Sequence, residues 1–406
     1  MNAEEILNNN HLDKETDKKV QESFNKEQFE TKNKRHYGLD LLRIVSMIMI
    51  IFLHINSHGG FNNFWEVKTP NGLLLTFLFS MSMVSVNAYV LLSGYFLIEG
   101  TFKPSKIIKL ALETFFYSIV VFTFLTIKSY HFSLQDYLKV FLPITYNSYW
   151  FVTAYIGMYL LSPAINKLIN VLKTKAFFVL LVFLIIVYCI LRDTFPYSEP
   201  FEVSQGYSLV WFIIVYMIGA FIKKTSLVEK FKHPFSLFLI FVTITFLIWV
   251  ILSLLAKKFA FIEENKLINY YFRYNSFPIL FGAIFLFITF ARIKIKNKFF
   301  SKIILFVSPL VLGVYLIHDN AFFRDYVWFS IFRTDTIPND VWLVPKAIGI
   351  IVTIFIVCIC LEFIRALIER LIFKVKPIRT LMFKIDSFSK NLLTKKEETQ
   401  AKSEIK

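Results

Sequence analysis

Between residues 38 and 372 the chain alternates long apolar blocks with short polar ones. A block of roughly 20 apolar residues, rising 1.5 Å per residue as a helix, matches the hydrocarbon thickness of a bilayer. Ten blocks come near that length, at about 38–58, 72–98, 104–127, 148–168, 175–192, 206–222, 235–256, 274–291, 303–318 and 344–364. They predict an all-α polytopic membrane protein with about ten transmembrane helices in one bundle, since inside lipid a backbone must satisfy its own hydrogen bonds. The second block carries Ser80, Ser82, Ser85, Asn87 and Ser93, which predicts a helix packed inside the bundle or bordering a cavity. Pro143 breaks the segment ahead of the fourth block.

Outside the blocks the chain is polar. Residues 1–36 cannot bury enough apolar surface to fold alone and are expected to form a disordered cytoplasmic tail. Residues 37–372 make the membrane domain and 373–406 a basic cytoplasmic tail. Lysine and arginine crowd both tails and alternate connections, for example Lys103, Lys106 and Lys109, or Lys223, Lys224, Lys230 and Lys232. The positive-inside rule then places both termini in the cytosol of a multi-pass protein of the cell membrane.

Composition changes little in this picture. The chain of 406 residues is 56% hydrophobic with mean hydropathy +0.57, far above a soluble globular chain. Its net charge of +16 is explained by the topology signal, so no nucleic-acid partner is expected. The 48 phenylalanines against 12 glycines supply bulky packing and lipid-facing surface. Cys189, Cys358 and Cys360 all fall inside apolar blocks and behave there as small hydrophobes. Their spacing gives neither a disulfide framework nor a zinc pattern. No soluble domain interrupts the blocks, so chemistry has to occur within the bundle or at its edge.

The first block, GLDLLRIVSMIMIIFLHINSH, is the one that carries costly groups: Asp40, Arg43, His54 and His58. Ionisable side chains inside a span mark function by default. Arg43 and His54 are eleven positions apart, about three turns, so they share one face some 16 Å apart along the axis. A neutral imidazole takes a proton near pH 7, and His54 near the outer end of its span is positioned to deprotonate an arriving hydroxyl. Two readings of Arg43 stand open. It pairs with Asp40 one turn away and is structural, or it holds an anion at the cytoplasmic mouth. His58, one turn beyond His54, either belongs to the same site or sits in solvent, and solvent is expected.

Further on, Lys103, Lys106 and Lys109 line one side of the start of the third block. They serve either as ordinary positive-inside anchors or as a phosphate cradle. Glu113, one turn deeper, is expected to be buried, and His318 closes the ninth block at a depth similar to His54. His318 is either a second site residue or an exposed cap. Asp40, Glu113 and His318 are accessory candidates. No nucleophile motif, phosphate-binding glycine loop or metal-ligand spacing is visible. Two non-acyltransferase classes fit the same blocks: a proton-coupled transporter or flippase for a lipid-linked sugar or organic anion, with His54 and Glu113 as relay, and a glycan polymerase, for which the outer loops are short.

Five stretches in order favour an acyltransferase over these classes. LDLLRIVSMIMIIFLH, with Arg43 and His54 separated by ten residues, resembles the first-helix signature of the membrane-bound acyltransferase-3 family. NAYVLLSGYFL, YWFVTAYIGMYLLSPAIN, RYNSFPILFGAIFLF and VLGVYLIH are similar to further family stretches, so the resemblance covers about residues 36–372. It implies transfer of an acyl group, usually acetyl, from cytosolic acyl-CoA to a hydroxyl of a cell-surface or lipid-linked glycan outside the cytosol. Arg43 and His54 are then the essential pair, with Arg43 on the donor side. In some members an arginine pair at the start of the third helix handles the donor; Lys106 and Lys109 hold that spacing here as point charges without the bidentate fork. Acetyl-CoA is expected as donor substrate, with no tightly bound cofactor, and membrane lipids surround the whole. His54 acts as general base or is itself acylated first.

Overall fold

The computed structural model describes residues 36–195, 203–264 and 266–403. Among them the secondary structure is helical, with no strand. The principal helices are α1 Tyr37–Ser57, α2 Pro70–Ser82, α3 Ser85–Leu97, α4 Pro104–Ile127, α5 Leu134–Phe141, α6 Trp150–Val171 and α7 Thr174–Ile185. They continue as α8 Leu209–Lys224, α9 Pro234–Ala256, α10 Phe277–Arg292, α11 Lys298–Val307, α12 Val311–His318, α13 Leu343–Lys374 and α14 Lys376–Ser403.

Starts and stops follow local chemistry. Proline opens α2, α9 and α10, where its missing N–H costs nothing. The Thr69 hydroxyl accepts from the Gly72 backbone N–H at the head of α2, and Ser133 with Asp136 forms a reciprocal capping box at α5. α5 ends at Phe141, just ahead of Pro143.

Among the described residues, seven helical segments are long and apolar enough to cross a membrane: Tyr37–Ser57, Pro70–Leu97, Pro104–Ile127, Thr174–Thr194, Pro234–Ala256, Lys298–His318 and Leu343–Lys374. Phe277–Arg292 is apolar but shorter. The other two expected spans are the helices α6 and α8, so all ten blocks fall on helices while seven meet the length and apolarity a crossing needs. The second block forms one segment, Pro70–Leu97, in which the α-helical hydrogen bonding lapses at Met83 and Val84 while their backbone stays right-handed helical. Its polar residues lie where expected: Ser80, Ser82, Ser85 and Asn87 are all buried.

The chain divides into two compact units. The larger comprises Tyr37–Gly100 and Leu110–Phe363. α1 is central in it, packing against α2, α3, α10, α11 and α12. The closest packing joins α3 to α8. It depends on two glycines: a Cβ at Gly94 would lie 2.0 Å from the Tyr216 carbonyl oxygen, and one at Gly219 2.3 Å from that of Leu91. Small residues let helix backbones meet in a membrane, where no hydrophobic effect drives helices together. Asn87 sits in this seam with both ends of its amide used. Its Nδ2 donates to the Tyr274 carbonyl at 2.7 Å, and its Oδ1 accepts from Trp211 Nε1 at 2.9 Å. At the end of the Thr174–Thr194 segment, Asp193 accepts from the Phe277 backbone N–H at 2.8 Å and so caps α10 from a distant part of the chain.

Of the described residues, the smaller unit comprises His36, Thr101–Lys109 and 364–403. The disordered tail expected over 1–36 lies, apart from His36, outside the described residues. The basic tail expected from residue 373 is helical over Lys376–Ser403. Asp386 on that helix receives both the Ser105 N–H at 2.9 Å and the Ser105 hydroxyl at 2.7 Å, holding the first turn of α4.

Gly219→Ala tests the glycine seam. The added methyl forces α3 and α8 apart, and overpacking of this kind costs about 1–3 kcal/mol. Thermal unfolding in detergent should show a clearly lowered midpoint for this variant.

Candidate functional site

α1 delivers His54 one turn before its C-terminal end, and α12 ends on His318. The two helices pack against each other and bring the rings together across 264 positions: His54 Nδ1 lies 2.9 Å from His318 Nε2. His318 Nδ1 lies 2.5 Å from the Val314 carbonyl oxygen. A carbonyl only accepts, so His318 carries its proton on Nδ1 and donates it there. With both rings neutral, His318 Nε2 is then the acceptor and His54 Nδ1–H the donor. His54 Nε2 is left bare, its lone pair available to take a proton.

The helix end carrying His318 is pinned from two sides. The Tyr149 hydroxyl donates to the Leu316 carbonyl at 3.0 Å and accepts from Asn320 Nδ2 at 2.6 Å. The Asn320 side chain also accepts from the Phe322 backbone N–H. His318 is 1% exposed, so it is not an exposed cap.

Asp319 follows at once. Its Oδ1 lies 3.6 Å from His54 Nδ1 and 3.7 Å from His58 Nε2. That oxygen is buried and has no hydrogen-bond partner. Burial pushes the Asp319 carboxyl above its ordinary range, against the pull of His318, His58 and Arg324. Burial likewise holds the His58 imidazole down, with Asp319 working in the opposite direction. His58 is therefore not the solvent-exposed residue its position after α1 suggested. It is half-buried beside Asp319 because α1 carries it one turn beyond His54, and the rings stand 5.5 Å apart. Asp319 went unnoticed in the sequence; the signal was its place directly after His318, legible only once His318 is known to face His54.

An aromatic wall leads away from His54. Tyr315 is 6.2 Å from it, Phe151 6.1 Å from Tyr315, Trp150 6.0 Å from Phe151, and Tyr207 4.5 Å from Trp150. Trp150 also stacks on Tyr274 at 5.9 Å.

Toward the other end of α1, Arg43 Nη1 contacts Asp40 Oδ1, and that carboxylate also accepts from the Ser308 hydroxyl at 3.3 Å. The local pairing of Arg43 with Asp40 is thus present, and it ties α1 to the turn between α11 and α12. The Arg43 guanidinium lies 5.5 Å from the Phe96 ring centroid, and its side chain keeps 31% of its exposure. Glu113 is half-buried, not buried as its place in an apolar block implied, because α4 turns part of that face outward. Lys106 and Lys109 belong to the smaller unit and are exposed. The Lys109 ammonium lies 4.7 Å from the Phe373 ring centroid.

Comparison with known proteins adds the decisive observation. An acyltransferase domain, that of the acyltransferase-3 family, matches residues 36–363. The chain belongs to the acyltransferase-3 family. No curated protein and no solved structure gives a significant match. The match ends short of residue 372, where the membrane domain was expected to end, and makes this protein an acyltransferase, with helices apolar enough to cross a membrane. It includes His54, His318 and Asp319 alike.

Tyr149→Phe tests the pinning of the His318 helix end. Losing this buried hydroxyl strands the Asn320 amide donor, at a cost of about 1–3 kcal/mol. The variant should unfold at a lower temperature than the unaltered protein in the same detergent.

Proposed function

We propose that this acyltransferase moves an acyl group, acetyl in the first instance, from cytosolic acyl-CoA to a hydroxyl of an extracytoplasmic or lipid-linked glycan. The observation that carries this reading is the hydrogen-bond chain His54–His318–Val314, which leaves His54 Nε2 without a proton. His54 Nε2 takes the acceptor hydroxyl's proton while the oxygen attacks the thioester carbonyl. A C–O bond forms, the C–S bond breaks, and the imidazolium returns the proton to the departing thiolate. During the step the positive ring is steadied by Asp319, whose oxygen lies 3.6 Å away. His318 fixes the ring's tautomer and orientation.

The donor is assigned to the lysine-rich side. Coenzyme A is anionic, and Lys106 and Lys109 on α4 supply point charges for its phosphates. Arg43 spends Nη1 on Asp40, but a guanidinium has five donors, so it is placed on the donor side with the remainder of its fork. Support for a sugar acceptor comes from the aromatic wall ending at Trp150 and Tyr207, since flat rings suit the apolar face of a pyranose. In this reading the protein resides in the cell membrane with both termini cytoplasmic, in line with its lysine distribution.

His54→Ala should lower acyl transfer to glycan in membranes by about 10²–10⁴-fold, the range ascribed to a lost general base, while the purified variant keeps its unfolding midpoint. Retained transfer would refute the assignment. Lys106→Ala and Lys109→Ala should each raise KM for acetyl-CoA about two- to fivefold and leave kcat little changed, as expected for exposed charge contacts worth up to about 1 kcal/mol. Steady-state kinetics at low and high salt check this, and the difference between variant and parent should shrink at high salt.

A further inference from the structure

His58 plays no part in the proton transfer described above, and the Asp319 oxygen that steadies the ring there makes no hydrogen bond. We infer that His54, His58 and Asp319 form a binding site for a divalent ion of the zinc type, and that its occupation withdraws His54 from service as a base. The withdrawal rests on the reading of His54 proposed above; the metal site does not.

The geometry points to a metal on three grounds. One donor atom from each of the three residues lies within 4.8 Å of the others. The measured edges are 3.6 Å, from His54 Nδ1 to Asp319 Oδ1, and 3.7 Å, from His58 Nε2 to the same oxygen. Ligands about 2.0–2.1 Å from a tetrahedral zinc stand roughly 3.3–3.4 Å apart, so these two edges already lie within tenths of an ångström of that, and the edge between the two imidazoles, bounded by 4.8 Å, closes by a turn of the part-exposed His58 ring. Second, the Asp319 side chain is 8% exposed, and its Oδ1 has no hydrogen-bond partner. A buried carboxylate oxygen flanked by two imidazoles and otherwise unsatisfied calls for a cationic partner. Third, two imidazole nitrogens and one carboxylate suit zinc and its neighbours, whereas magnesium and calcium take oxygen donors. The His58 side chain is 30% exposed and gives the ion a way in, and a fourth position is left for water.

Occupation has a definite consequence at His54. The ion takes the lone pair of Nδ1, so the proton on Nδ1 moves to Nε2 and the ring stays neutral. Bare nitrogen and protonated nitrogen have exchanged places: Nε2 is now a donor and accepts no proton from a hydroxyl. The hydrogen bond to His318 Nε2 is lost in the same event. His54 and His58 are one turn apart on α1, but Asp319 is distant in sequence, which is why no ligand spacing was legible in the chain.

The test uses the purified full-length chain in detergent. Co²⁺ is titrated and followed by its visible ligand-field absorption, and Zn²⁺ by competition; acyl transfer is measured alongside in metal buffers. The expected result is one ion per chain. His58→Gln and Asp319→Asn should each weaken binding at least about tenfold, the scale on which losing a group that supports a metal is felt. Zn²⁺ should abolish transfer and a chelator restore it. His58→Gln should keep its activity in chelator and lose its sensitivity to Zn²⁺. Absence of binding, or binding that both substitutions leave unchanged, overturns the site. Site-specific binding without inhibition overturns the withdrawal and with it the role of His54 Nε2 as base, while the metal site stands.

Discussion

The hydrogen bond between His54 and His318 is the contact on which the proposed chemistry of this protein rests. By itself a histidine near the end of a membrane span is ambiguous, since either ring nitrogen can hold the proton. The Val314 carbonyl removes the ambiguity, because it can only accept. One backbone oxygen therefore sets the tautomer of two rings in series and leaves the outermost nitrogen bare. The rest of the structure serves that arrangement. α1 lies at the centre of the larger unit, α12 packs on it, and Tyr149 and Asn320 hold the end of α12 in place.

The fold supplies the rigidity this requires by two means. Glycines at positions 94 and 219 bring α3 and α8 into backbone contact. The buried Asn87 amide has both its partners, a donor on one side and an acceptor on the other. In a bundle where lipid tails are as apolar as leucine, such close approaches and satisfied polar groups are the main source of specific helix pairing. Asp319 is among the buried groups without a hydrogen-bond partner, and its unsatisfied oxygen stands beside the His54 ring. A buried polar group without a partner calls for an explanation.

Much of this was legible in the chain. Every expected span falls on a helix, because a block of twenty apolar residues has few alternatives in a bilayer. His54 stood out because lipid penalises it, and the Arg43–Asp40 pair followed from their spacing of one turn. His318 was visible as a candidate, but its partner was not, because helical periodicity relates residues three and four apart and is silent about residue 54 meeting residue 318. For the same reason Asp319 was missed and His58 was assigned to solvent. The lapse in hydrogen bonding between α2 and α3 escaped notice too: no proline or glycine marks Met83 and Val84, so the apolar pattern runs through them.

Solid-state ¹⁵N spectroscopy of histidine-labelled protein in bilayers reads the decisive feature directly, because protonated and bare imidazole nitrogens resonate far apart. With signals assigned by His54→Gln and His318→Gln, and a metal chelator present, His54 should show a protonated Nδ1 and a bare Nε2, and His318 the same pattern. A His54 ring with its proton on Nε2, or an imidazolium at His318, would contradict the arrangement on which the proposed proton transfer depends.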